Sequence, residues 1–109
     1  MRRGEVWTAS GGSGYAGKPR PVVIVQDDRF AATASVTICG FTTAPIEAEL
    51  ARPLVAPTSE NGLRVPSRLM ADKITTLPRR LLRDRIGRLS EEEVQALNRS
   101  ILVFLGLAE

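Results

Sequence analysis

The chain has 109 residues, of which 43% are hydrophobic and 25% charged, and this composition fits one globular domain and excludes a disordered chain. It contains no histidine, which excludes imidazole acid–base catalysis and histidine-ligated metal sites. The net charge of +3 favours an anionic partner. The single cysteine, Cys39, lies between apolar residues, which predicts a buried and unreactive thiol. Because no apolar segment has the length of a signal peptide or a membrane helix, we expect a cytoplasmic protein.

Three strands are predicted in the first part of the chain. Gly4–Ala9 is a short β-favouring run that ends at a cluster of glycine and serine. Val22–Val25 consists of four β-branched residues, which is typical of a strand covered on both faces. Ser35–Phe41 alternates in polarity, so this third strand is expected to present Thr42 and Thr43 at its end.

The central part of the chain contains several short apolar segments. The pair Asn61 and Gly62 is a strong signal for a tight turn, which predicts a hairpin with strands on both sides of it. Further short strands are predicted at Arg68–Ala71, Ile74–Pro78 and Arg85–Leu89. Many brief strands separated by turns favour a small barrel or sandwich over a parallel sheet.

A helix is predicted at the C-terminal end, because Ser90 and Glu93 have the spacing of a capping box. Gly106 is placed to end the helix. Its apolar positions recur at intervals of three and four and predict one face packed against the barrel: Val94, Leu97, Ile101, Leu102 and Leu105. We therefore expect a mainly β domain with one amphipathic helix, spanning residues 1–109.

The glycine-rich segment before the second strand resembles a nucleotide-binding loop. Gly12, Gly17 and Lys18 have the spacing of the phosphate-binding pattern. In such loops the lysine is followed by a serine or threonine that binds magnesium, and then by a helix. Here Pro19 follows, and a strand comes next. The sequence therefore argues against a nucleotide site.

Arg20 lies between Pro19 and Pro21 at the start of the second strand. The two prolines restrict the backbone around it, so its guanidinium is suited to bidentate contact with a phosphate. A purely structural arginine at a strand start is the alternative. Five arginines also cluster within residues 79–88, where they form either an anion-binding surface or a solvated face.

Four blocks in order resemble the MazF/PemK family of toxin endoribonucleases of toxin–antitoxin systems, and the resemblance covers nearly the whole chain. They are Arg3–Trp7, Pro19–Val25, Phe41–Thr43 and Asp72–Leu77, the last followed by Ile86–Ser90 and the closing helix. The resemblance implies a small SH3-like barrel of the type found in CcdB and MazF. It also implies a homodimer, and a cognate MazE-like antitoxin whose acidic tail covers the active site.

The same resemblance implies a catalytic pair, which falls on Arg20 and Thr42, with Thr43 as the substitute if the register shifts by one. The implied reaction is metal-independent and cofactor-free cleavage of single-stranded RNA, in which the 2′-hydroxyl attacks its own phosphate. The products are a 2′,3′-cyclic phosphate and a 5′-hydroxyl. Many family members carry a glutamate shortly before the arginine, where this chain has Gly14, so the general base is left unassigned.

Further RNA-binding candidates are Ser13, Tyr15, Lys18, Pro19, Thr43 and Ser67. Tyr15 could stack on an unpaired base or be an exposed loop residue without a role, and the same two interpretations hold for phosphate contact by Lys18. Asp27 and Asp28 are expected in a turn rather than as a catalytic pair, because adjacent side chains diverge. Trp7 is expected in the core or in a dimer interface.

Two other functions remain open from the sequence. One is a DNA gyrase poison of the CcdB type, which has the same fold and no nuclease activity. The other is a barrel that binds single-stranded RNA without cleaving it, which would keep the positive charge without requiring Thr42.

Overall fold

The computed structural model describes residues 1–10, 18–45 and 50–109. Several positions named above lie outside the described residues, namely Gly12, Ser13, Gly14, Tyr15 and Gly17. No helix in the part of the chain that the structure describes has the length and apolar character needed to cross a membrane.

The described residues form one sheet and one α-helix. The strands are β1 (Glu5–Ala9), β2 (Arg20–Ile24), β3 (Ser35–Thr42), β4 (Leu54–Val55), β5 (Ser67–Leu69), β6 (Thr75–Pro78) and β7 (Leu82–Arg88). Helix α1 spans Glu91–Phe104, and short 3-10 turns lie at Asp28–Phe30, Ala71–Lys73 and Arg79–Leu81. The predicted mainly β architecture with a C-terminal helix is confirmed.

Strand β3 bends the sheet, because it has different neighbours along its length. The strands run in the order β4-β5-β3-β2-β1-β7, and all pairs are antiparallel. On the side away from β2, the first half of β3 pairs with β6 at Ser35–Ile38, and its end pairs with β5 at Phe41 and Thr42. The sheet therefore curls into a half-barrel, as expected for a small barrel.

Buried apolar residues lie on both faces of the sheet. The first cluster packs under helix α1 and consists of Val6, Val23, Cys39, Val55, Leu63, Leu69, Ala71, Leu89 and Leu97. The second cluster lies on the other face and consists of Ala9, Val22, Ile24, Val36, Ile38 and Leu82. Strand β2 contributes to both, which confirms the expectation from its β-branched run. Burial raises the pKa of the Cys39 thiol to about 12, in agreement with an unreactive cysteine.

Helix α1 begins with the predicted capping box. The Ser90 hydroxyl accepts the Glu93 amide at 3.1 Å, and the Glu93 carboxylate accepts the Ser90 amide at 2.8 Å. Gly106 follows the helix with a φ of 77°, a conformation that glycine adopts without strain.

The predicted packed face of α1 is wrong at its C-terminal end. Leu97 is buried, whereas Leu102 is 42% exposed and Leu105 is 60% exposed. At 3.6 residues per turn, Leu102 lies about 140° around the helix from Leu97 and so faces away from the sheet. Leu105 is the C-cap residue that follows the last turn of the helix.

The predicted hairpin around Asn61 and Gly62 is also corrected. Strands β4 and β5 do pair, but residues 56–66 separate them, and no strand adjoins the turn. Asn61 is fully buried: its side-chain oxygen accepts the amides of Thr58 and Leu63 at 3.0 Å each. The turn is therefore held by one buried side chain rather than by flanking strands. Gly62 supplies the φ of 71° that this turn requires.

The last strand begins earlier than its apolar residues indicate. Strand β7 starts at Leu82 rather than at Arg85, because it pairs with β1 as far as Ala9. Backbone pairing thus extends the strand through charged residues that sequence patterns assign to a loop.

Candidate active site

The pairing of β2 with β3 brings the two predicted catalytic residues together. Val22 lies opposite Gly40, and the pairing continues regularly towards the interior of the sheet. Extending the same register by two residues places Arg20 opposite Thr42. Directly opposed residues point to the same face with their Cβ atoms about 5 Å apart. The extended register therefore predicts that the Arg20 guanidinium and the Thr42 hydroxyl lie on the same face at this end of the sheet.

Both residues line a single cavity at this end of the sheet. The cavity, which we call the reaction cavity, has a volume of about 410 Å³. Its walls are formed by Arg20, Pro21, Phe41, Thr42, Thr43, Val65, Ser67 and Met70. Four of the residues predicted from the sequence are thus brought to one place, although they come from three separate segments of the chain.

The hydroxyl of Thr42 is oriented by a local hydrogen bond. Its Oγ1 accepts the backbone amide of Ala44 at 3.1 Å, so the hydroxyl hydrogen remains free to be donated. Arg20 is exposed, and among the described residues its guanidinium has neither a hydrogen-bond partner nor a carboxylate partner. With respect to the part of the chain that the structure describes, the cavity therefore holds a cation and a hydroxyl donor without protein acceptors, which together suit an anionic ligand.

A second cavity of about 450 Å³ adjoins the first. The two share Pro21, Val65 and Ser67, and the second adds Thr8, Pro19, Gly62, Leu63, Arg64 and Ile86. We refer to both cavities together as the groove. No described residue in its lining is acidic. Its walls are mostly apolar with a few hydroxyls and cations, which is typical of a ligand-binding groove.

The predicted RNA-binding residues occupy different positions relative to the groove. Thr43 and Pro19 line it, and Lys18 is exposed beside it without lining either cavity. Ser67 lines both cavities but is only 4% exposed, and its hydroxyl donates to the carbonyl of Val65 at 3.0 Å. Ser67 can therefore accept a hydrogen bond from a ligand but has no hydrogen left to donate.

Arg68 is a neighbour of this site that the sequence does not reveal, and it lines neither cavity. It lies directly opposite Thr42 on strand β5, across from Arg20. Its Nη1 donates to the backbone carbonyl of Arg52 at 2.9 Å. The predicted strand at 68–71 contained Arg68, but its partner strand depends on the bend in β3, for which no local sequence signal exists.

Arg52 is in turn held by Asp72. Two nitrogens of the buried Arg52 guanidinium donate to the two carboxylate oxygens of Asp72, each at 2.9 Å. The Arg52 side chain lowers the pKa of the Asp72 carboxyl by hydrogen bonding, and this effect exceeds the opposing effect of burial. The pair fixes the segment before β4 against the 3-10 turn after β5.

The arginines of residues 79–88 do not form one uniform anion-binding surface. Arg79 donates from Nε to the carbonyl of Thr33 at 3.0 Å and so ties two loops together. Arg85 pairs with Glu5 at 3.0 Å. Part of this run is therefore structural, and the alternative of a ligand surface holds at most for its remaining members.

The acidic pair and the tryptophan have the predicted structural roles. Asp27 precedes the 3-10 turn at Asp28–Phe30, and its carboxylate accepts the backbone amide of Arg29 at 2.8 Å. This confirms the predicted turn. Trp7 packs against the second cluster, and its indole donates to Glu5 at 3.1 Å.

Comparison with known proteins identifies the family and the fold of this chain. Residues 2–105 match the family model described as the PemK-like, MazF-like toxin of type II toxin–antitoxin systems. The chain belongs to this family. A relative from Mycolicibacterium smegmatis, a probable endoribonuclease MazF, is 53% identical over 108 residues, which cover 99% of each chain.

Solved structures of MazF toxins have the same fold. The toxin MazF-mt6 of Mycobacterium tuberculosis superposes with a TM-score of 0.80 at 25% identity, covering 96% of this chain and 99% of that one. An endoribonuclease from a mycobacterial species, solved in complex with its cognate antitoxin, gives a TM-score of 0.79 at 25% identity. It covers 100% of this chain and 98% of that chain. The resemblance seen in the four sequence blocks is therefore confirmed.

Proposed function

We propose that this chain cleaves single-stranded RNA at a phosphate bound between Arg20 and Thr42, without a metal ion. The observation that carries this proposal is the register of β2 and β3, which supports a guanidinium and a hydroxyl acting on one group. The activity class follows from the family and from the relative of 53% identity: the chain is a MazF-type endoribonuclease of a toxin–antitoxin system. The gyrase-poison and non-catalytic alternatives are therefore set aside.

In the proposed reaction, the ribose 2′-oxygen forms a new bond to the adjacent phosphorus and loses its proton. The bond between phosphorus and the 5′-oxygen of the next nucleotide breaks, and that oxygen gains a proton. The products are a 2′,3′-cyclic phosphate and a 5′-hydroxyl. No oxidant, water molecule or cofactor enters the balance of this step.

Arg20 and Thr42 are proposed to stabilise the charge that develops during this step. The non-bridging oxygens become more negative as the fifth bond forms at phosphorus, and preorganised donors lower the barrier most at that point. The Arg20 guanidinium supplies a fixed positive charge and the Thr42 hydroxyl a hydrogen bond. Arg20 is a poor general base, because a guanidinium keeps its proton at ordinary pH. Protonation of the leaving 5′-oxygen is the more suitable proton-transfer role for it.

Metal independence is supported by the chemistry of the groove. The chain has no histidine, and the described lining of the groove contains hydroxyls and guanidinium groups instead of carboxylates. Guanidinium groups carry out the charge neutralisation that magnesium performs in many nucleases.

We also propose that the second cavity of the groove receives a nucleotide next to the cleaved phosphate. It opens directly from the reaction cavity and is walled by Leu63, Val65 and Ile86, which suit the flat apolar surface of an unstacked base. Hydroxyls at Thr8 and Ser67 could distinguish base edges. This arrangement would give the enzyme a sequence preference.

The proposed protein partner is a cognate antitoxin with an acidic tail lying in the groove. A similar mycobacterial endoribonuclease forms a complex with its cognate antitoxin, and the absence of acidic groups from the described groove lining supports an acidic ligand here. A homodimer and a cytoplasmic location remain predictions. Size-exclusion chromatography of the purified chain with light-scattering detection measures its molar mass and tests the predicted homodimer.

The deciding experiment incubates the purified chain with a long single-stranded RNA in the presence of EDTA and maps the new ends. We expect discrete cuts with cyclic phosphate and 5′-hydroxyl ends, which disappear in Arg20→Ala and Thr42→Ala variants of unchanged melting temperature. Arg99→Ala is the matched control, because it removes an exposed arginine on helix α1 that bonds only weakly to the Glu109 carbonyl. Cleavage that requires added magnesium, or that survives in both site variants, would refute the proposed mechanism.

A further inference from the structure

We infer that Arg68 binds the RNA phosphate next to the one held by Arg20 and Thr42, and that Arg52 and Asp72 position it for this contact. The inference rests on the proposed function, because it assumes that RNA lies in the reaction cavity. It adds a residue that binds the RNA backbone, so that the RNA-binding surface extends beyond the proposed catalytic pair.

The sheet places Arg68 on the strand next to Thr42, outside the lining of either cavity. Arg68 is directly opposite Thr42 on β5, and Arg20 falls opposite Thr42 on the other side by extension of the β2–β3 register. Opposed residues across neighbouring strands point to the same face of a sheet. The three strands thus present a row of cation, hydroxyl and cation. Since strands lie about 4.8 Å apart, the two arginine backbones are separated by about 10 Å.

The charge of Arg68 is held in position without being neutralised. Its side chain is half-buried, and its one described hydrogen bond goes to the neutral carbonyl of Arg52. The nearby carboxylate of Asp72 is engaged by Arg52 through two hydrogen bonds. A guanidinium has five N–H donors, so most of those of Arg68 remain available for an anion. Among the described residues, no carboxylate forms an ion pair with it.

The direction of this hydrogen bond separates the role of Arg68 from that of Arg20. Arg52 precedes β4, which lies on the far side of β5 from Thr42. Arg68 is therefore tied to the side away from the catalytic pair and cannot also close on the phosphate held there. A guanidinium on the next β-strand of this row would contact the next phosphate of an RNA chain that runs across the sheet. We expect Arg68 to contribute to RNA binding and not to the rate of the chemical step.

The position of Arg68 depends on the pair that holds Arg52. The bidentate bond between Arg52 and Asp72 fixes the backbone of Arg52, whose carbonyl is the acceptor for Arg68. Weakening this pair should therefore weaken RNA binding, but only while an arginine is present at position 68. This dependence distinguishes positioning from a general loss of stability.

The test measures binding of a short fluorescent single-stranded RNA to the full chain carrying Thr42→Ala, which prevents cleavage, over a range of salt concentrations. Neutralisation of one phosphate of a single strand contributes about 0.7 to the slope of log affinity against log salt. We expect Arg68→Ala to reduce the slope by about that amount and to weaken binding by roughly tenfold at low salt. Arg99→Ala should leave the slope unchanged, and Arg68→Lys should restore part of it.

Kinetics with the cleaving enzyme provide the second measurement. Arg68→Ala should raise KM with kcat within about twofold, whereas Arg20→Ala should reduce kcat. Asp72→Asn should weaken binding in the parent chain and have no further effect on binding in the Arg68→Ala chain. Melting temperatures show whether each variant is folded.

Three outcomes would overturn the inference: a salt slope in Arg68→Ala equal to that of Arg99→Ala, a loss confined to kcat, or an Asp72→Asn effect that persists without Arg68. Failure of the proposed function is distinguishable, because it would leave RNA uncut by the parent chain while the binding measurement still tests Arg68.

Discussion

Two polar regions of this molecule differ in how their hydrogen-bonding capacity is used. Around Asn61 and the Arg52–Asp72 pair, buried polar groups have partners within the protein: the Asn61 amide donates to Ala56 and Glu93 and its oxygen accepts two amides. At the proposed catalytic pair, the Arg20 guanidinium has no partner among the described residues, and the Thr42 hydroxyl makes no described donation.

We infer that this difference separates residues that stabilise the fold from residues that act on the proposed ligand. A satisfied buried polar group stabilises the fold, and its removal leaves partners unpaired. An exposed polar group without a partner contributes little to stability and is available for a ligand. Variants in the first region should therefore change the free energy of unfolding, and variants in the second should change catalysis.

The largest effect is expected for Arg20→Lys, which keeps the charge and removes the planar fork. We expect kcat to fall by about a hundredfold, because a lysine cannot donate two parallel hydrogen bonds to a phosphate. The urea midpoint should stay the same, since Arg20 is exposed and unpartnered among the described residues. Single-turnover cleavage and urea titration measure the two quantities. If the variant lost stability and kept its kcat, Arg20 would have a structural role and not a catalytic one.

Asn61→Ala should have the opposite pattern. It leaves the amides of Thr58 and the buried Leu63 without their acceptor and opens a cavity at the fully buried Asn61 position, and we expect a loss of about 2–3 kcal/mol in the free energy of unfolding. Urea titration measures this loss, with Gln95→Ala on the exposed surface of α1 as the control. At saturating RNA and below the melting temperature, kcat should remain close to that of the parent chain. A stability change within about 0.5 kcal/mol would show that the turn does not depend on this side chain.

Because Asp72 is paired with Arg52, we expect part of the free energy of unfolding to depend on pH in the acidic range. Because the folded pKa of Asp72 is below its ordinary value of 3.8, its contribution is fully present above that value and is lost as the pH falls through the folded pKa. Asp72→Asn should reduce the slope of unfolding free energy against pH below about pH 4. Denaturation at several acidic pH values tests this. Equal slopes in the parent chain and the variant would contradict the prediction.

Local sequence signals were sufficient to predict features that depend on a single segment of the chain. The proline-flanked Arg20 and the strand end at Thr42 could each be identified from neighbouring residues, and the capping box at Ser90 depends on positions three residues apart. Their meeting in one cavity required the pairing of β2 with β3, which the family resemblance supplied and the residues alone did not.

Features that depend on distant partners could not be predicted in this way. Arg68 lies opposite Thr42 only because β3 exchanges β6 for β5 along its length. Asn61 has the sequence signature of a hairpin turn, but its buried side chain replaces the strands expected on either side. Leu102 is apolar and correctly spaced for a wide helix face, but it is 42% exposed, because it lies about 140° around the helix from the buried Leu97.

A final comparison uses two hydroxyls with the same local hydrogen bond. Ser90 and Thr42 each accept a backbone amide at 3.1 Å, from Glu93 and Ala44 respectively. Ser90→Ala should lower the free energy of unfolding by about 1 kcal/mol and leave kcat unchanged, because it removes a helix cap that does not line the groove. Thr42→Ala should reduce kcat with a smaller effect on stability, since its amide partner is exposed and can bond to water instead. If both variants lost similar stability and kept their activity, the free hydroxyl hydrogen of Thr42 would have no catalytic role, and Thr43, which lines the same cavity, would become the residue to test.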